Sequence, residues 1–189
     1  MKACTGKTTG ISAGRFFRDL LPSLAVLLSL ANPVLAVTVN GSFDVTATLQ
    51  NGCLFGVNSS SSSNMGTLSF GSQSATATNV DVVSSAGSGS IVVTCTPGAS
   101  VSIALDYGAN GGSSAQRYLK NSAGTRTLPY QLYRDAARSQ VWGTGTLALT
   151  VSSFPSTTQT YTVYARYFGA TPLPAAGQYT DSVTINVTY

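Results

Sequence analysis

The stretch Gly177-Gln-Tyr179-Thr-Asp181-Ser-Val183-Thr-Ile185-Asn-Val187-Thr-Tyr189 decides the class of this fold. From Tyr179 onward, Tyr, Val, Ile, Val and Tyr take alternate positions, interrupted by Asp181, and Thr, Ser and Asn fill those between. A period of two sends successive side chains to opposite faces of a strand. Residues 179–189 are therefore expected to form one strand with an apolar face, on which the chain ends. Such a strand must be paired and covered, or it becomes an edge for association. Assembly, rather than catalysis, is the first function to weigh. Asp181 falls on the apolar face. It is expected either at the strand's start, where the sheet opens to water, or in a pair with an arginine.

The same alternation runs through Val37, Val39, Gly41, Phe43, Val45, Ala47 and Leu49. Thirteen alternating residues make about twice a typical strand, so residues 37–49 are long enough to act as two strands in series. Further strands are expected over 67–70, 79–83, 90–95, 100–107, 127–134, 140–142, 146–151 and 160–168. Gly, Ser, Asn and Pro fill the intervals, as in Asn51-Gly52, Gly87-Ser-Gly89, Pro97-Gly98 and Asn110-Gly111-Gly112. Residues 59–63 are five consecutive serines, expected to form an exposed loop. Short strands with turns every eight to twelve residues predict an all-β sandwich.

At its start the chain carries Lys2, Lys7, Arg15 and Arg18, then an apolar run from Leu20 to Leu30, then Asn32-Pro33-Val34-Leu35-Ala36. That order reads as a signal peptide cleaved after Ala36. The run is about eleven residues, against the roughly 20 that a membrane-spanning helix needs. Residues 1–36 are thus assigned to a leader and residues 37–189 to one domain. Beyond Ala36, Arg117, Lys120, Arg126, Arg134, Arg138 and Arg166 face Asp44, Asp81, Asp106, Asp135 and Asp181. That near balance supplies no basic stripe for nucleic acid. Cys53 and Cys95 are the two cysteines left in an exported chain, which predicts one disulfide. The alternative is a pair of buried free thiols. The bridge would close a loop of about 43 residues, worth roughly 4 kcal/mol in loop-entropy terms.

The absences narrow the chemistry. The chain has no His and no Glu, so a Ser-His-Asp triad cannot be built and the commonest general base and metal ligand is missing. Lys120 reads as a solvated loop charge, and the aspartates are too scattered for a calcium loop. Asp81 is expected on a surface strand and Asp135 at a turn. Tyr130, Tyr133, Trp142, Tyr161, Tyr164, Tyr167 and Phe168 form an aromatic set read as packing, with a sugar-stacking face as the alternative. No catalytic residue, metal ligand or cofactor is assigned.

Seven segments, in order, resemble the spore coat protein U domain family: Ala47–Cys53, Gly66–Gly71, Val93–Gly98, Tyr130–Asp135, Val141–Gly143, Tyr161–Arg166 and Gly177–Tyr189. Two departures are visible, Ala165 where that family often has Gly, and the serine run 59–63. The resemblance implies an immunoglobulin-like sandwich lacking its final strand and completed by donor-strand complementation. It implies a subunit exported through the periplasm to the cell surface and polymerised into a pilus that serves adhesion or biofilm formation. A periplasmic chaperone, an outer-membrane usher and neighbouring subunits are the implied partners. Val37, Val39, Phe43 and Val45 would be the donor strand. Tyr179, Val183, Ile185, Val187 and Tyr189 would form the acceptor-groove and chaperone-binding strand. The competing expectations are a secreted spore-coat or matrix protein and a carbohydrate-binding module.

Overall fold

A computed structural model describes residues 38–56 and 64–189. The expected leader 1–36, Val37 and the serine run 59–63 lie outside the described residues. The chain divides into two units between Thr46 and Ala47. The described part of the first unit, residues 38–46, forms no regular element and is exposed throughout.

The second unit is all-β. Its strands are β1 (Cys53–Phe55), β2 (Val80–Val83), β3 (Ile91–Cys95), β4 (Val101–Leu105), β5 (Arg117–Asn121), β6 (Thr127–Tyr133), β7 (Leu149–Val151), β8 (Gln159–Tyr161), β9 (Tyr164–Tyr167), β10 (Tyr179–Thr180) and β11 (Ile185–Thr188). They form three antiparallel sheets, ordered β1-β3-β8, β10-β5-β6-β9-β2 and β11-β4-β7. One core joins them. Ile91 and Val93 of β3, Val101, Ile103 and Leu105 of β4, Tyr130 and Leu132 of β6 and Ala165 of β9 pack with Trp142, Phe154 and Val163. Alternate residues of β4 are buried, as a strand with one covered face requires. In β3 nearly every residue is buried, because both of its edges are paired and both faces are covered. Cys53 and Cys95 face each other in register across β1 and β3 and are joined by a disulfide.

Several sequence expectations require correction. Residues 38–52 form no strand. The chain enters its first ladder only at Cys53, so the alternating apolar side chains before it face solvent: Val39, Phe43 and Leu49 are 88%, 86% and 94% exposed. Residues 67–70 are outside any strand, and only Gly66 before them makes an isolated bridge, to Ser88. Residues 140–142 contribute only the bridge Tyr133–Val141. Residues 145–147 turn as a 3-10 helix before β7. The expected strand 160–168 is two strands in different sheets. The Ser84 hydroxyl accepts the Val163 N–H at 2.7 Å, and Ser84 N–H donates to the Val163 carbonyl at 2.9 Å. This side-chain capture draws the chain off β3 and onto β6 and β2.

The strand β5 was not expected, and Lys120 lies exposed on it rather than in a loop. Its first residue, Arg117, is fully buried. The guanidinium donates to the main-chain carbonyls of Asp106 (2.5 and 2.9 Å) and Trp142 (2.7 Å) and to the Gln131 side chain. It also lies 5.3 Å from the centre of the Tyr107 ring. Burial lowers its proton affinity, opposed by Tyr130 and Asp106. A buried cation held by carbonyl dipoles fixes the loops it bridges, because losing any one partner leaves charge uncompensated.

Candidate functional site

The opening stretch is where the structure departs furthest from a simple strand. Tyr179–Thr180 pair with β5 in the five-stranded sheet, whereas Ile185–Thr188 pair with β4 in another. The break centres on Asp181, which meets no arginine among the described residues. Its Oδ1 accepts N–H groups of Ala109 (2.9 Å), Ser182 (2.9 Å) and the Asn110 side chain (3.0 Å). Its Oδ2 accepts the Tyr130 hydroxyl at 2.6 Å. A carboxylate satisfied by four donors is a stable half-buried group, and serving them takes residues 181–184 out of the ladder. Burial, reinforced by the bond to Asp181, pushes the Tyr130 hydroxyl up, so it stays a donor at any physiological pH.

Beside this crossover lies an open groove of about 630 Å³. Its floor is Ile91, Leu105, Leu119, Tyr130, Leu132 and Val163. One rim is Asp181–Ile185; the other is Met65–Phe70, with Phe55 at the end nearest β1. Phe70 meets Tyr130 edge-on, with ring centres 6.1 Å apart. The groove runs beside β11, the edge strand of its sheet. The inward side chains of the crossover and of β11 show what is missing. Val183, Ile185 and Val187 pack on the core but remain half-buried, whereas Val101, Ile103 and Leu105 of the neighbouring β4 are at most 2% exposed.

The predicted acceptor residues therefore divide. Val183 and Ile185 stand on the groove rim. Val187, opposite Ile103, packs on the core beyond the groove. Tyr189 lies past β11 and is 56% exposed. Tyr179 belongs to the other sheet, opposite Asn121, and donates its hydroxyl to the Ala175 carbonyl. Of the predicted donor residues, Val39, Phe43 and Val45 are exposed, and Val37 lies outside the described residues. The rim Met65–Phe70, the Phe55 end and the Tyr130–Asp181 pair were not predicted as parts of a site. The nearest sequence signal was the misfit of Asp181 on an apolar face.

Four of the seven residues of the aromatic set serve as packing, while Tyr161, Tyr164 and Phe168 are half-buried. Trp142 is 1% exposed and donates its indole N–H to the Ile103 carbonyl, and Tyr130, Tyr133 and Tyr167 are buried. Among the described residues, no three His, Cys, Asp or Glu side chains gather as a metal site would require.

The sequence matches the model of the Spore Coat Protein U domain over residues 39–186. The chain belongs to that family. Among curated proteins none matches it. Among solved structures it is similar to a chain of the CsuC–CsuE chaperone–tip adhesion subunit pre-assembly complex from the archaic chaperone-usher Csu pili of Acinetobacter baumannii. The identity is 21% and the TM-score 0.47, over 75% of this chain and 40% of that one. It is also similar to a chain of a chaperone–tip adhesin complex of CFA/I fimbriae biogenesis, at 22% identity and TM-score 0.39, over 58% of this chain and 35% of that one. The spore coat U chain thus spans less than half the length of either.

Proposed function

We propose that this spore coat U domain is a structural subunit of a surface pilus, exported by the chaperone–usher route and assembled by donor-strand exchange. The observation that carries this reading is the groove, with its apolar floor, beside the edge strand β11. A groove of this form takes an extended segment whose main chain pairs with the edge and whose alternate side chains fill the floor. Val37, Val39, Phe43 and Val45 supply that pattern, and the described members of the set stand in solvent. Burying four such side chains, at about 1.5–3 kcal/mol each, rivals the whole stability of a domain, about 5–15 kcal/mol. In this reading a periplasmic chaperone covers the groove first, the usher presents it, and the next subunit's residues 37–49 replace the chaperone. Each copy gives one strand and receives another, a head-to-tail relation that propagates as a fibre.

The test deletes residues 37–42. The shortened subunit is expected to fold and to bind its chaperone, yet form no fibres of its own by electron microscopy, while still accepting a strand from an intact subunit. Normal polymerisation of the shortened subunit would overturn the reading. So would a full-length protein that is a stable monomer with no partner, and a coat or matrix role would then take its place.

A further inference from the structure

Residues 181–184 carry the chain from one sheet to another, the sort of connection that is ordinarily mobile. Here the turn 106–110 grips almost every residue of it. Asp106 exchanges two hydrogen bonds with Thr184, N–H to carbonyl at 3.0 Å and carboxylate from N–H at 2.9 Å. Ala109 N–H donates to the Ser182 carbonyl at 3.1 Å as well as to Asp181. The two hydrogens of the Asn110 side-chain amide are shared among the carbonyls of Thr180 (2.9 Å) and Tyr118 (2.9 Å) and the Asp181 carboxylate (3.0 Å), joining β10, β5 and the crossover at one nitrogen. Gly108, at φ +82°, permits the approach, since a Cβ there would lie 2.0 Å from Asp181 Oδ2. Arg117 in turn holds the Asp106 carbonyl from the core side. On the other rim, Gly89 N–H donates to the Met65 carbonyl and Gly66 bridges to Ser88. Among the described residues, Leu68 and Ser69 make no main-chain hydrogen bond to the rest of the molecule.

We propose that Asn110 is a positioning residue for strand capture. Acting through Asp181 and Thr180, it holds the crossover rim in its accepting shape before any strand arrives, leaving the rim 65–70 to close over the occupant. This rests on the strand-acceptor reading of the groove. An empty trough with an apolar floor is under pressure to collapse. If only a fraction of molecules present an open rim, the apparent affinity falls by that fraction. Once the groove is filled, the occupant's own main-chain bonds to β11 hold the rim, and the clamp matters less. The clamp therefore acts on association more than on dissociation.

The experiment follows capture of a fluorescent synthetic peptide of residues 37–49 by the leader-free chain. The chain is unfolded with its disulfide intact and diluted into peptide, and release is then followed after a chase with unlabelled peptide. Asn110→Ala is expected to slow association on the order of tenfold, with an unchanged dissociation rate. Tyr130→Phe, which removes one bond to Asp181, is expected to move association the same way by less. Unchanged association in a folded Asn110→Ala, or a loss that falls on dissociation, would show that the clamp serves filled and empty states alike, and would overturn the proposal. Should Asn110→Ala give no folded protein, Tyr130→Phe decides in the same terms. If the parent chain captures no peptide at all, the strand-acceptor reading fails, and this inference with it.

Discussion

The crossover 181–184 and the segment 65–70 face the same groove, yet they are built in opposite ways. The crossover has no regular structure but is tied by side-chain and main-chain bonds from Asp106, Ala109 and Asn110. The segment 65–70 is fastened at its start, where glycines let it cross the hairpin before β3. A Cβ on Gly66 would meet the Gly87 carbonyl oxygen at 1.8 Å, and one on Gly89 would meet the Leu68 Cβ at 2.9 Å. Beyond that crossing it relies on packing by Leu68 and Phe70. Irregular backbone is therefore not equivalent to loose backbone. What matters is where each N–H and C=O finds its partner. A strand-accepting site benefits from one rim of each kind: a fixed edge sets register, and an adaptable edge seals the side chains that arrive.

The largest expected effect breaks the fixed rim itself. Replacing Val183 and Ile185 together with Asp places two charges where both side chains pack on the core. An unpaired buried charge costs several kcal/mol, and two exceed what a domain holding about 5–15 kcal/mol can bear. The double variant is expected to yield no soluble folded subunit, judged by periplasmic yield and limited proteolysis. Leu68→Asp on the opposite rim is the matched comparison. It should fold and lose strand capture only, because the segment can swing its charge to water. Equal damage from both would end the distinction between the rims.

Next in size is Cys53→Ala. The disulfide pins β1, three residues long, to the buried strand β3, and Phe55 on β1 closes one end of the groove. Losing the bridge is expected to cost roughly 4 kcal/mol, read as a fall in the denaturant midpoint with a steeper slope, because the uncrosslinked unfolded chain exposes more surface. Mass analysis of the parent under non-reducing conditions should show two hydrogens fewer than after reduction. Two thiols open to alkylation would contradict it.

The all-β class was legible in the sequence because its signal is repeated: alternation, turn residues at short intervals, and few segments that could form helices. Part of the core was legible for the same reason, since Val101, Ile103 and Leu105 lie on a segment of plain period two, whereas Ile91 and Val93 lie on a short apolar run. Three features were hidden, two of them because a side chain outbid the ladder. Ser84 takes the Val163 N–H and divides one expected strand. Asp181 takes four donors and divides the last. Arg117 is buried against carbonyls supplied by distant loops, a partnership that no local pattern announces. Of the groove, Val183 and Ile185 could be read from alternation. The rim 65–70 could not, because its place depends on the glycine crossing with residues 87–89.

The smallest expected effect tests whether the rims are special at all. Arg166 donates to both carboxylate oxygens of Asp81, at 2.7 and 2.8 Å, across the β2–β9 pair, and Arg138 approaches Asp81 at 3.1 Å. None of the three lines the groove. The hydrogen bond from Arg166 holds the Asp81 carboxyl below its usual 3.8 against the cost of desolvation, with lesser help from the charges of Arg138 and Arg166. A carboxyl whose folded value is depressed contributes stability that is fully present above its unfolded value and disappears as pH falls through the folded one. Asp81→Asn and the parent should therefore differ by a constant, small amount from neutral pH down to about pH 4. Their stabilities should converge below that, as the parent's carboxyl takes up its proton. The group is exposed, so water and salt weaken the pair, and roughly 0.5 M salt should shrink the gap further. Peptide capture by Asp81→Asn should match the parent in both rates. If this distant ion pair slowed association as much as Asn110→Ala, the clamp's effect would reflect general loosening of the sheets, and the contrast between a fixed and an adaptable rim would no longer explain capture.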